Sequence, residues 1–291
     1  MPPHMSPDSS PTPETLHSKP LGIPAGLGRH VFGLGIIAIG LTGLVWGDFI
    51  TGQTVPNDFP HRTALAYIAA AFLFFTGIIL QWRRSACVGS VALATYYTVL
   101  VIIVMNGPLL LAHFREYGFY ESFSEQLAIT AAAVIVYAAL ARIPAPIAQR
   151  LTLFSQLIFG VCALVWGGAH FVYMNLTAPL VPKWLPPSQV FWGYLTGVAF
   201  VAAGLAILSR IQARLAAILL TVMLACFTFL VHIRILFADH RLPFNWTELA
   251  VNVTLLGAAW IVVDSFAAKT PRWLLHSPGK SAKLRETPPL A

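Results

Sequence analysis

Eight blocks of apolar residues constrain this chain more than any other feature. They run Val31–Ile50, Thr63–Gln81, Ser85–Met105, Phe123–Leu140, Leu151–Tyr173, Val190–Leu208, Ile211–Phe237 and Thr247–Phe266. Crossing a hydrocarbon layer of about 30 Å at 1.5 Å per helical residue takes about 20 residues. Each block has roughly that length, none is long enough to cross twice, and few carry a charge near the middle. Only 10% of the 291 residues are charged, against the quarter or so that keeps a soluble domain in water. The pattern predicts an all-α membrane protein with eight transmembrane helices.

The basic residues set an orientation. If the N-terminus is inside, inner segments hold 13 of the 18 lysines and arginines, and each inner loop has a pair: Arg83 with Arg84, Arg142 with Arg150, Arg210 with Arg214. Arg62, Arg115, Lys183, Arg234 and Arg241 make up the outer 5. The positive-inside rule then places both termini in the cytoplasm. The net charge of +7 reads as topology and contact with anionic lipid, and excludes a nucleic-acid partner. Residues 1–29, rich in Pro and Ser, read as a disordered cytoplasmic tail without the order of a cleavable signal. Residues 269–291 read as a basic cytoplasmic tail.

The same scheme gathers chemistry outside. Asp48, Asp58, Glu116, Glu121, Glu125, Asp239 and Glu248 lie there, as do His61, His113, His170, His232 and His240. The long connections Asn106–Ser122 and Asn175–Gln189 are also outer, so any site is expected to open outward.

An internal duplication is legible. Leu44-Val-Trp-Gly47 recurs as Leu164-Val-Trp-Gly167, and Tyr67 with Thr76-Gly77 resembles Tyr194 with Ala203-Gly204. Phe123-Ser-Glu125 corresponds to Trp246-Thr-Glu248. The offsets, 120, 127 and 123, keep the order of the helices. Two tandem four-helix membrane units follow, 30–142 and 151–268, parallel because each has an even number of spans. Gly33, Gly35, Gly40 and Gly43 in the first span, and Gly160, Gly167 and Gly168 in the fifth, are expected to let the two units approach closely.

Ionisable groups inside spans are costly and mark candidate sites. His170 shares a helical face with Trp166 and Tyr173. That face reads as an aromatic-lined wall for a quinone-like ring or a metal, or as an interfacial belt at headgroup depth. His232 lies in the outer half of the seventh span, where it can relay protons or bond a backbone carbonyl. Glu125 and Glu248 occupy equivalent places. Ser122-x-x-Glu125 has the form of a capping box and Asn245-x-x-Glu248 nearly so, while Asn252 would extend a polar stripe from Glu248 into the bundle. Arg234 is expected to pair with Asp239 or snorkel, and Asp264 to reach the basic tail. Asp48 has no chemical counterpart in the second half, which is the better equipped of the two.

Cys87, Cys162 and Cys226 form no C-x-x-C pair, so neither a disulfide framework nor a cysteine metal site is expected. The chain lacks a Walker loop, a dinucleotide glycine fingerprint, H-E-x-x-H and G-x-S-x-G.

From His170-Phe171 onward the text runs Ala178-Pro179, Val181-Pro182, Trp184-Leu-Pro186, Trp192-Gly-Tyr194-Leu-Thr196-Gly197 and Gly204. This resembles the DoxX-like integral membrane family over about residues 155–265. Residues 30–140 are similar only as a diverged copy, with Ile50 where the histidine would fall and no Trp-Leu-Pro turn in Gln53–His61. The resemblance implies a four-helix membrane unit and, by analogy with some members, quinone-linked redox chemistry beside other membrane redox subunits. It also implies His170 as the chemical residue, with Trp192 and Tyr194 as ring contacts. The reading that joins these features is a bacterial inner-membrane protein with an outward-opening pocket in its second unit. There His170, His232 and Glu248 would exchange protons and hydrogen bonds, while Trp166, Trp192 and Tyr194 wall a quinone ring. The competing readings are a small-molecule transporter or binder, a non-catalytic accessory subunit, and a haem held between His170 and His232.

Overall fold

A computed structural model describes residues 26–267; the two tails read from the sequence lie almost wholly outside them. The described residues contain no strand and eight helices long and apolar enough to span a membrane. They are α1 (Leu27–Trp46), α2 (Arg62–Ile79), α3 (Ala86–Ala112), α4 (Tyr117–Leu140), α5 (Ala145–Val172), α6 (Gln189–Ser209), α7 (Ala213–Ala238) and α8 (Pro243–Ala267). The chain is an all-α integral membrane protein. The face of the bundle at which α1 ends is called distal below.

Packing repeats between the halves. Helix α1 lies between α2 and α8, and α5 lies between α6 and α4. Helices α3 and α7 pack on α4 and α8, which meet each other at the centre. That centre is visible in burial: 56% of the apolar window of α4 and 67% of that of α8 are buried, more than in any other span. The contact pattern of α1 to α4 thus recurs in α5 to α8, with the first helix of each half packed on the last helix of the other.

Between helices in lipid there is no hydrophobic drive, so close backbone contact has to hold them. A Cβ on Gly257 of α8 would lie 2.2 Å from the Phe32 nitrogen of α1, and one on Gly35 of α1 would lie 2.6 Å from the Thr254 nitrogen of α8. The glycines were expected to serve contact between the units, and most do something else. Gly33, Gly40 and Gly43 face α2, and Gly160 and Gly167 face α6, all within their own unit. Gly168 meets the Tyr117 hydroxyl of α4.

Helix ends differ from the sequence reading in ways that matter for function. Gly47, at φ 64°, caps α1, so residues up to Ile50 do not continue the first span. Ile50 and Gln53 fold back into the bundle and are buried. Helix α4 begins at Tyr117 and α8 at Pro243. Ser122 and Asn245 are therefore inside helices, and neither is the expected cap. The Asn245 side chain donates instead to the Asp239 carbonyl at 2.7 Å. Two spans contain π-helical stretches, Tyr96–Asn106 in α3 and Thr228–His232 in α7.

Candidate functional site

A cavity of about 200 Å³ lies in the second half, between α4, α5, α6, α7 and α8. Its rim toward the distal face is the α5–α6 connection, through Thr177, Leu180 and Val181. Each helix contributes by its own periodicity. Helix α4 brings Glu121 and Glu125 four residues apart, and α5 brings Trp166 and His170 at the same spacing. From α6 come Gly193, Thr196 and Phe200, and from α8 come Glu248, Val251, Asn252 and Leu255. Helix α7 contributes Phe227 and His232, five residues apart. The local π geometry at Thr228–His232 explains that step, since an i→i+5 turn puts such residues on one face where an α-turn would not.

Polar contacts fix the walls. The Thr196 hydroxyl lies 2.8 Å from the Trp192 carbonyl and 3.2 Å from His170 Nδ1. With the Thr196 proton on a carbonyl, its pairing with His170 requires an Nδ1–H donor, the tautomer that would leave the basic lone pair on Nε2. Asn252 Nδ2 donates to Thr228 Oγ1 at 2.7 Å and to the Leu224 carbonyl at 3.2 Å, tying α8 to the π segment. Rings surround the histidine: Phe200 at 5.5 Å and Phe227 at 6.3 Å between centroids. Trp166 stands edge-on to Phe200 at 5.8 Å.

Two features lack internal partners. Trp166 is only 5% exposed, and its indole N–H makes no hydrogen bond. The cavity lining also contains no lysine or arginine beside its three glutamates. The ion pairs among the described residues lie elsewhere, Arg62 with Asp48 and His113 with Glu116.

The structure therefore brings His170, His232, Glu248 and Trp166 to one cavity. Trp192 and Tyr194 lie outside its lining, because they sit off the Gly193–Thr196–Phe200 face of α6. Trp192 Nε1 donates to the Pro186 carbonyl at 2.8 Å. Tyr194 is 49% exposed and stacks on Phe171 at 6.1 Å. Tyr173, expected on the His170 face, instead accepts the Gly118 N–H at 2.9 Å. The Arg234–Asp239 pair does not form: Arg234 donates to the carbonyls of Leu180 and Leu230, and Asp239 accepts from the Arg241 N–H. Asp264 accepts from the Gly26 N–H at 3.4 Å.

The sequence places Glu121 among the outer acidic residues without marking it as a site residue, and does not single out Phe200 or Phe227. Glu121 had a findable signal, four residues before Glu125, which becomes meaningful once α4 starts at Tyr117. Phe227 shares ordinary helical spacing with Leu224 and Val231, which also line the cavity, and only its alignment with His232 depends on the π turn.

In the first half the corresponding space is filled. The connection after α1 enters the bundle, where Gln53 donates to the Tyr96 hydroxyl at 3.1 Å. Asn106 Nδ2 holds the Gly52 carbonyl at 2.8 Å and the Val101 carbonyl at 2.9 Å. A separate cavity of about 760 Å³ between α2 and α3 is lined almost entirely by apolar residues such as Ile68, Phe72, Val99 and Leu100.

Among the described residues, no three His, Cys, Asp or Glu side chains are grouped as a metal would require. At about 200 Å³ the second-half cavity falls below the ~300–1,000 Å³ typical of ligand pockets. It suits one ring better than a haem macrocycle.

Residues 159–263 match the model of a domain of unknown function, DUF8561. No curated protein and no solved structure matches the chain. The matched stretch includes Trp166, His170, His232 and Glu248, while Glu121 and Glu125 precede it.

Proposed function

We propose that this membrane protein binds a small organic molecule in the second-half cavity and exchanges protons with it, as a binder or transporter. The observation that carries this reading is the buried, unpartnered Trp166 N–H in a cavity that also gathers three carboxyl and two imidazole groups. An unsatisfied buried donor costs about 1–3 kcal/mol, and ionisable groups within a membrane are expensive enough to mark substrate or proton pathways. A ligand acceptor on Trp166 removes the first cost. Glutamate and histidine are the side chains suited to passing protons near neutral pH. The bias of basic residues supports a cytoplasmic position for both termini, in a bacterial inner membrane. The distal rim then opens outward.

A quinone-linked redox role is the second reading. It rests on the DoxX-like resemblance, and one contact set favours it. A quinone carbonyl requires a hydrogen-bond donor, which Trp166 offers, and its protons require carriers, which His170, His232 and Glu248 provide. Phe200 and Phe227 would wall the ring, with electrons supplied by another membrane redox subunit.

Both readings meet one experiment. The full chain purified in mild detergent is extracted with organic solvent and analysed by mass spectrometry beside Trp166→Phe and Glu248→Gln. A compound near one per chain, lost from both variants, is the expected result, and a quinone as that compound selects the second reading. Equal retention by all three proteins, or none in any, refutes the site.

A further inference from the structure

Charge in the cavity narrows the ligand class. We propose that the ligand is a small organic cation: an ammonium group on an apolar or aromatic body, carrying one hydrogen-bond acceptor beside it. This deepens the reading of the cavity as a small-molecule site and rests on it.

The titratable groups facing the cavity are Glu121 and Glu125 from α4, His170 from α5, His232 from α7 and Glu248 from α8. No lysine or arginine lines it. The guanidinium at its edge, Arg234, is turned to the Leu180 and Leu230 carbonyls. The protein thus supplies acceptors for positive charge from two central helices and withholds the cation that usually accompanies buried carboxylates. The rings of Trp166, Phe200 and Phe227 line the same cavity, and aromatic rings attract a cation through the ring quadrupole. The acceptor requirement comes from a separate observation, the buried Trp166 N–H without a partner. Size completes the description, because about 200 Å³ admits one ring with a short arm.

Three probes of one shape separate charge from fit: 2-phenoxyethylamine, 2-phenoxyethanol and phenoxyacetate. Each is titrated against the full chain in detergent by equilibrium dialysis, with thermal stabilisation as a second readout. The amine is expected to bind at least about tenfold more tightly than the alcohol, and the carboxylate not at all. In Glu248→Gln and Glu125→Gln, near-isosteric changes that spare the packing, the preference for amine over alcohol is expected to vanish. In Trp166→Phe both neutral and charged probes weaken by the same factor, because the ether oxygen loses its donor. If amine and alcohol bind alike to the native chain, the cation proposal falls while the site stands. If the carboxylate binds best, the cation proposal falls likewise. If no probe binds, the cavity is not a small-molecule site, and both readings fall together.

Discussion

Replacing Gly257 by alanine tests the α1–α8 seam on which the site depends. The added Cβ would lie 2.2 Å from the Phe32 nitrogen and 2.4 Å from its Cα, where 3.4–4 Å is ordinary contact. The seam is about 1 Å short of room, and the opposing atoms are backbone, so no side chain can swing aside. Nor can α1 retreat freely, because on its other side a Cβ built on Gly40 would likewise strike the Phe74 backbone of α2. Overpacking of this kind costs about 1–3 kcal/mol, and a gap of 0.5–1 Å elsewhere along the seam forfeits roughly a quarter to a half of each contact's attraction. Alanine's better helix propensity returns up to about 1 kcal/mol, leaving a net loss of up to about 2 kcal/mol from the overpacking itself. Gly118→Ala is the control, since its Cβ would sit 3.6 Å from the Tyr173 hydroxyl, an ordinary distance. Unfolding by titration with a denaturing detergent should rank the control at or above the native chain and Gly257→Ala clearly below. Native-like stability for Gly257→Ala, or greater damage from Gly118→Ala, refutes the argument that this close approach holds the bundle. Because Glu248 and Asn252 ride on the same helix, the variant should also weaken ligand binding.

Further expectations follow from single contacts. Arg210→Ala leaves Gln156 Oε1, which is fully buried, without the Arg210 donor while its Nε2 still bonds Ser265 at 2.7 Å; thermal unfolding in detergent should show a loss of about 1–3 kcal/mol. Asn106→Ala cuts the bonds to the Gly52 and Val101 carbonyls and the Thr54 partner. A cysteine introduced as Gln53→Cys should then react with a water-soluble thiol reagent only when Asn106 is also changed, and equal labelling without that change would show the connection is not pinned. Trp166→Phe removes an unpaired N–H and leaves a small void, two opposing effects, so the empty protein should melt near the native temperature. Ligand-induced stabilisation, by contrast, should be lost, and its survival would remove Trp166 from the site.

Much of the architecture was legible because the bilayer is a severe filter. Runs of apolar residues with so few charges have one economical fate, and all eight spans form. Boundaries were less legible, and the site suffered for it. The capping-box pattern at Ser122 and Glu125 obeys a local rule, yet α4 starts at Tyr117, so Glu125 stands a further two turns in and faces the cavity. The local signal was outweighed by packing of the preceding turn, where Tyr117 donates to the Val165 carbonyl at 2.8 Å and Gly118 to the Tyr173 hydroxyl. Trp192 and Tyr194 show a second limit. A motif marks a segment, but only the phase of α6 relative to its neighbours decides which of its residues face inward, and that phase is set by Gly197 and Gly204 against α5.

The difference between the halves is itself an argument about function. Their packing is alike, but the chain that follows the first span of each half is placed differently. In the first half, Gly52 makes the filling possible: its backbone at φ 86° turns the chain inward, and a Cβ there would strike Gln126. Gln53 then donates to the Tyr96 hydroxyl and Asn106 to the Gly52 and Val101 carbonyls, with no titratable carboxyl among them, although the buried Tyr97 hydroxyl and Gln126 Nε2 of this half make no hydrogen bond. In the second half the chain after α5 stays at the rim in two short helical turns, Met174–Thr177 and Ala178–Leu180. The interior carries Glu125's counterpart Glu248 beside His232, with the Trp166 N–H still unpaired. One fold thus shows what closing the space with protein looks like. The cavity beside α4 and α8 is the one that gathers titratable groups a packed interior would avoid, which favours a ligand there over a purely structural role.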